Sequence, residues 1–140
     1  MSFPYMNPTV ITITPDDPDG NLADVPLFRA PSSFSITDAM VFSRSAVTGV
    51  NADYVDIKVH KLGNTTHTYA ALNVIAGVNI AANTWQAIPL NTTSSPVTAG
   101  ETVALSVTFK DAANLNFGAT AGTVIWQIQG VQGKNADTGE

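Results

Sequence analysis

The residues that could do chemistry in this chain are few and widely spaced. Oxygen-bearing side chains cluster between Asp17 and Asp24 at a spacing typical of calcium loops, but the glutamate that completes such a loop is absent. We interpret this segment as a turn, with a weak cation site as the alternative. Acid–base hydrolysis needs two carboxylates across a cleft. The candidates lie beside predicted turns, on an outward strand face or in a predicted strand break, which argues against such a pair: Asp38, Asp53, Asp56, Glu101 and Asp111.

The two histidines, His60 and His67, flank a predicted turn, with His60 on the polar face of a strand and His67 at a loop tip. No third metal ligand is evident nearby, so a zinc site is poorly supported. The chain has no cysteine. Serine and threonine hydroxyls therefore remain as possible nucleophiles, and no base is evident beside any of them. We expect no enzymatic activity, no metal site and no cofactor.

Two tryptophans suggest a different kind of site. Trp85 and Trp126 could form a platform on which sugar rings stack, as in carbohydrate-binding modules. Trp126 shares a strand face with Val124 and Ile128, which predicts that it packs in the core. Trp85 has polar neighbours such as Gln86, so its pattern leaves both positions open.

β-strands must position these residues, because the hydrophobic pattern has a period of two. From Val103 to Phe109, apolar residues at the odd positions face one way, and small uncharged residues at the even positions face the other. A free-standing domain usually places lysine and glutamate on that second side. The outer surface is therefore predicted to carry few charged side chains or to be covered by a partner. Tyr54–Lys61 is the clearest amphipathic strand, with Val55, Ile57 and Val59 toward the core.

About eight such strands, spaced near ten residues apart with turn signals between them, predict an all-β fold. We expect an antiparallel β-sandwich of the jelly-roll type. A strand break is predicted at Asp38-Ala39, and a turn at Ala76-Gly77. The 140 residues are most simply one domain, with an extended N-terminal arm over residues 1–9, the sandwich over 10–130 and a polar C-terminal tail over 131–140.

The N-terminal arm is the best candidate for a functional element. Its prolines fix extended backbone, and its other side chains include large anchors. One interpretation is that the arm folds back on its own sandwich; the other is that it lies on a neighbouring subunit. The predicted interface residues are Phe3, Pro4, Tyr5, Met6 and Pro8.

Composition limits the partners. Charged residues make up 12% of the chain, about half the share typical of soluble domains. The net charge is −5 and the lysines and arginines are scattered, so nucleic acid is not an expected partner. No run of about 18 apolar residues occurs, so we expect no membrane span. Low charge fits either a surface rich in threonine, asparagine and serine or a subunit whose interfaces are depleted in charge.

Three segments together resemble head decoration (cement) proteins of tailed bacteriophages: Ser33–Phe42, Tyr54–Lys61, and Ile88–Leu90 followed by Val97–Val103. In that family an apolar-Thr-x-Ala phrase opens a strand, and an Ala-Gly-acidic-x-Val turn, here Ala99–Val103, precedes a strand of alternating Val, Leu and Thr. The resemblance covers roughly residues 33–130 and brings no catalytic residues. It implies a small jelly roll, often trimeric, on the outer capsid where major capsid proteins meet.

This resemblance predicts a structural virion protein. As a homotrimer it would bind the major capsid protein on the outer surface of a phage head, after assembly in the host cytoplasm, and would stabilise the head by bridging neighbouring subunits. Two other functions fit the same sequence features. One is a carbohydrate-binding β-sandwich module, and the other is a phage tail or fibre component.

Overall fold

The computed structural model describes residues 8–14, 21–49, 54–75, 77–91, 96–110 and 124–132. Within these ranges the chain forms strands and turns, and none of the described residues belongs to a helix that could cross a membrane. The strands are β1 (Pro8–Ile13), β2 (Leu22–Arg29), β3 (Phe34–Ser43), β4 (Val47–Thr48), β5 (Tyr54–Lys61), β6 (Asn64–Val74), β7 (Asn79–Ile80), β8 (Thr84–Ala87), β9 (Pro96–Val97), β10 (Thr102–Lys110) and β11 (Val124–Gln132).

Eight longer strands build two antiparallel sheets. The first sheet has the order β1-β11-β3-β8, with β9 also pairing with β3, and the second sheet has the order β2-β10-β5-β6. Counted along the chain without the two-residue strands, these orders read 1-8-3-6 and 2-7-4-5, the interleaved order of a jelly roll. The prediction of an all-β, antiparallel sandwich of about eight strands is confirmed.

Alternation along the strands forms the core. The side chains that the sequence places inward are buried, and burying one such large side chain stabilises the fold by roughly 1.5–3 kcal/mol. They come from β5 and β10 of the second sheet and from β11 of the first: Val55, Ile57, Val59, Val103, Leu105, Val107, Phe109, Val124, Trp126 and Ile128.

The predicted break at Asp38-Ala39 is wrong, because β3 runs through it without interruption. Instead the pairing of β3 with β11 shifts by one residue next to Gly130, which leaves Thr37 as the extra residue of a β-bulge. The bulge lets Ile36 and Ala39, three positions apart, both point into the core. A sequence that departs from strict alternation is therefore still one strand.

Strand pairing extends into both predicted terminal segments. β1 begins at Pro8, inside the segment predicted to be an arm, and Pro8 pairs with Val131 in the segment predicted to be a tail. The predicted strand–turn–strand around Gly77 is present, since β6 ends at Val74 and Gly77 adopts a φ of 86° before β7. The other predicted interface residues lie outside the described part of the chain: Phe3, Pro4, Tyr5 and Met6.

Candidate interaction surface

The outer side of the first sheet is a surface on which a single described side chain, Asp38, is charged, and we call the other residues of this surface the uncharged face. Strand pairing aligns its residues in rows across β1, β11, β3 and β8. None of them is buried. Asp38 lies opposite Gln129 in the third of these rows and is the one charged residue in these four strands. The uncharged face consists of Ile125, Phe42 and Trp85 in one row, Thr12, Gln127, Met40 and Ala87 in the next, and Val10 and Gln129 in the third.

An aromatic pair occupies one end of the uncharged face. Trp85 of β8 lies opposite Phe42 of β3, with ring centroids 5.3 Å apart. The Trp85 side chain is 41% exposed, whereas Trp126, on the inner side of the same sheet, is 2% exposed. The core prediction for Trp126 is confirmed. The position of Trp85, which the sequence left open, is on the surface.

The outer side of the second sheet is different because it carries charged groups. β5 presents Asp56 and Lys58, whose side chains lie 3.7 Å apart. The small outward residues of β10 lie beside this charged strand, with Ser106 opposite Lys58 and Thr108 opposite Asp56. The small, uncharged residues on the outward side of β10 therefore do not form the uncharged surface that the sequence suggested. That surface belongs to the other sheet.

Glu101, a sequence candidate for acid–base chemistry, is bound by three groups. Its Oε1 accepts hydrogen bonds from the Tyr69 hydroxyl at 3.0 Å and the Thr98 N–H at 3.1 Å, and its Oε2 lies 3.2 Å from the Lys61 ammonium. Partial burial acts to raise the pKa of Glu101, but these partners outweigh it and the pKa is lowered. Burial, with the nearby carboxylate, raises the pKa of Tyr69 well above its usual range. Glu101 is thus held ionised as a structural group.

Asp24 and Asp56, two of the remaining carboxylates, both line one surface cavity on the second sheet. Asp38 is exposed at the bulge. The oxygen of the Asn21 side chain accepts the Phe109 N–H at 2.8 Å. No group of three or more histidine or acidic side chains suited to a metal occurs in the part of the chain that the structure describes. Four sequence candidates lie outside that part: Asp17, Asp19, Asp53 and Asp111.

The alternation predicted that His60 lies on an exposed polar face. This prediction is wrong, because the His60 side chain is completely buried. The start of β2 lies over it, with Asp24 Oδ1 3.6 Å from His60 Nε2. His60 Nδ1 lies 2.8 Å from the Lys61 carbonyl oxygen, so this nitrogen carries a hydrogen and donates it. When the ring is neutral, His60 Nε2 accepts the hydrogen of the Ser106 hydroxyl, 2.7 Å away.

Sequence reasoning found no base beside a hydroxyl, and the pairing of β5 with β10 supplies one. Ser106 and His60 are 46 positions apart and lie on neighbouring strands. The alternation along β5 and β10 places both residues on the outward side of the sheet, but only the register between the two strands shows that their side chains are in contact. His67 takes no part, because its ring packs against Tyr69 with centroids 5.3 Å apart.

Comparison with known proteins finds distant matches to solved structures. No protein-family model matches the chain, and no curated protein matches it. Solved structures that match include infectious bursal disease virus, Gx strain (20% identity, TM-score 0.37, covering 90% of this chain and 32% of that one). The T13 particle of the same virus matches with 21% identity and a TM-score of 0.35, covering 91% and 32%. Its VP2 subviral particle matches with 19% identity and a TM-score of 0.37, covering 91% and 33%.

The chain spans about a third of the length of the chains that it matches. At these identities and TM-scores the matches assign neither a fold nor a function to this chain. The function proposed below rests on the residues of this chain. None of the three structures is a tailed-bacteriophage decoration protein, and that resemblance stays a prediction.

Proposed function

We propose that this chain is a structural protein of a virus particle, and more specifically a decoration or cement protein that binds the outer surface of a head. The observation that supports this most is the uncharged face. Interfaces between proteins are depleted in charge at their centres and enriched in aromatic residues and methionine. The uncharged face offers Phe42, Trp85 and Met40 beside Ile125, while the second sheet carries the charged groups of an ordinary wet surface.

The size of the uncharged face favours an oligomer. Four strands about 4.8 Å apart, with about five residues rising about 3.4 Å each, cover roughly 300 Å² of flat sheet. A stable interface buries about 800 Å² on each partner, so one such face gives a weak contact. In a trimer the second and third contacts become intramolecular, which strengthens attachment without new residues. A homotrimer that bridges neighbouring subunits of the major capsid protein fits this requirement.

The predicted arm supports the same arrangement. It precedes Pro8, and β1 is the edge strand of the sheet that carries the uncharged face. In the proposal, Phe3, Pro4, Tyr5 and Met6 extend the contact area beyond the sheet, on a neighbouring subunit or on the capsid.

A charged substitution in the uncharged face tests the proposal. Ile125→Lys puts an ammonium in the row that contains Phe42 and Trp85, so we expect it to weaken capsid binding. Asn73→Lys is the matched control, because Asn73 is exposed on the second sheet opposite Asp56. Cosedimentation with virus heads should show wild-type occupancy for Asn73→Lys and reduced occupancy for Ile125→Lys, and light scattering at several concentrations should show a trimer for all three chains.

A wild-type chain that stays monomeric at every concentration would contradict the self-association part of the proposal, and full occupancy by Ile125→Lys would contradict attachment through the uncharged face. Cosedimentation of the chain with virus heads then tests attachment directly. Antibody labelling of particles distinguishes a head location from a tail or fibre location, which would use the same uncharged face.

Carbohydrate binding is the second candidate, and the exposure of Trp85 favours it. Sugar rings stack on exposed aromatic faces, and Trp85 is 41% exposed beside Phe42. In this case tryptophan fluorescence should shift with added oligosaccharide, and the shift should vanish in Trp85→Ala. Buried Trp126 supplies a constant background. An unchanged spectrum across a panel of oligosaccharides would exclude those sugars as ligands.

A further inference from the structure

The contact between Ser106 and His60 has the geometry of an activated hydroxyl. A nucleophile needs a base within hydrogen-bond reach and a third group that orients the base. Here the Ser106 Oγ lies 2.7 Å from His60 Nε2, and the Lys61 carbonyl orients the ring through Nδ1 at 2.8 Å. The Asp24 N–H donates to Ser106 Oγ at 3.1 Å. A hydroxyl has two lone pairs, so one remains free for attack.

Ser106 is also accessible from outside, although its base is buried. It lines a surface cavity of about 390 Å³ on the outer side of the second sheet. The start of β2 forms one wall of this cavity, and β5, β10 and Thr65 of β6 contribute the rest. The uncharged face lies on the opposite side of the sandwich. Occupation of the uncharged face by a partner therefore leaves this cavity open.

We propose that Ser106 is a nucleophile that accepts an acyl group from small uncharged esters, with His60 as its base. The Ser106 oxygen forms a bond to the carbonyl carbon while its proton moves to His60 Nε2. The bond from that carbon to the leaving oxygen then breaks, and the leaving oxygen takes the proton from His60 Nε2. The products are acyl-Ser106 and an alcohol, so no other reactant is needed. The Asp24 carboxylate, 3.6 Å from Nε2, stabilises the imidazolium that forms in between.

The charges of the cavity select the ester. Two carboxylates, Asp24 and Asp56, and one ammonium, Lys58, line it, so its side chains are net negative. An anionic ester is repelled by this lining, whereas a neutral ester is not. The hydroxyl of Thr65 offers a hydrogen bond to a polar leaving group. This site is independent of the virion role proposed above, and either can fail alone.

The test uses p-nitrophenyl acetate with the full chain. We expect one equivalent of p-nitrophenolate to be released in a burst, and peptide mass spectrometry to place the acetyl group on Ser106. Ser106→Ala removes the burst. Thr108→Val is the matched control, since this hydroxyl lines the same cavity and faces Asp56 rather than a histidine, and the burst should be unchanged. His60→Gln keeps a hydrogen-bonding side chain without a base and should slow acetylation about 100-fold.

Acetyl groups spread over lysines, or a burst that survives in Ser106→Ala, would overturn the proposal. So would an undiminished rate in folded His60→Gln, because the contact would then serve only to provide the buried imidazole with a hydrogen-bond partner. If circular dichroism shows that His60→Gln does not fold, the comparison of Ser106→Ala with Thr108→Val and the mapped position of the label decide the matter.

Discussion

Removal of the Tyr69 hydroxyl measures how much the hydrogen bond from Tyr69 to Glu101 contributes to the stability of the sandwich. Tyr69→Phe deletes the 3.0 Å hydrogen bond to the Glu101 carboxylate and leaves the buried ring in place. A hydrogen bond to a charged group contributes about 1.5–3 kcal/mol. Because Glu101 keeps Thr98 and Lys61 as partners, we expect the lower end of that range, about 1.5 kcal/mol at pH 7. For 140 residues the unfolding entropy is about 0.3 kcal/mol/K, so Tm falls by about 5 °C.

The cost of Tyr69→Phe should depend on pH. The folded protein lowers the pKa of Glu101, so the ionised carboxylate stabilises the fold above its unfolded pKa of about 4.3. This contribution is lost as the pH falls through the folded pKa. A protonated Glu101 accepts a weaker hydrogen bond, and the cost of Tyr69→Phe should drop to about 0.5 kcal/mol well below pH 4.

Urea unfolding at pH 7 and at pH 3 provides the assay, with wild type, Tyr69→Phe, Glu101→Gln and the double variant forming a cycle at each pH. Tyr54→Phe serves as the control, because Tyr54 is a half-buried tyrosine of β5 away from Glu101. An equal cost of Tyr69→Phe at both pH values, or a coupling energy near zero at pH 7, would refute the assignment of Glu101 as the acceptor that matters.

Three further substitutions or deletions follow from the backbone and the arm. Gly130→Ala places a Cβ against the Phe34 ring, so we expect about 1–3 kcal/mol of destabilisation in urea, whereas Gln129→Ala on the outer side costs less than 1 kcal/mol. Asn83 has a φ of 56°, so Asn83→Ala should cost about 1 kcal/mol and Asn83→Gly should be close to neutral; a larger loss for glycine would contradict the backbone argument. Deletion of residues 1–7 should leave the melting temperature unchanged and lower the occupancy of virus heads, and full occupancy would remove the arm from the proposed contact.

Much of the fold could be predicted because each strand has two chemically different sides. β5 and β10 show it best, since their inward residues alternate strictly and are all buried. The bulge in β3 could not be predicted, because Thr37 and Asp38 break the alternation as a turn would. Pairing with β11 is what keeps the strand continuous there. Alternation identifies which side chains share a face but does not identify the strand that pairs alongside.

The candidate surface and site depend on that missing information. The uncharged face draws its rows from β1, β3, β8 and β11, which are far apart in the chain, and Trp85 alone gave a hint of it. The alternation of β5 correctly predicted that His60 lies on the outward side of the strand, but it also implied that the side chain is exposed. Its burial arises from Asp24 at the start of β2, which lies over it, and no local pattern around His60 reports that contact.

The pairing of early strands with late ones governs how this chain folds as it is made. β1 pairs with β11 and β2 pairs with β10, so both sheets join segments from opposite ends of the described chain. Pairing strands so far apart in the chain closes long loops, which costs conformational entropy before the contacts form. Folds of this kind therefore take milliseconds to seconds to fold. β5 and β6 are consecutive and can close as a hairpin first. On the ribosome the nascent chain exposes unpaired strand edges until β11 has emerged, and a chaperone that shields them during that interval would raise the yield of native subunits.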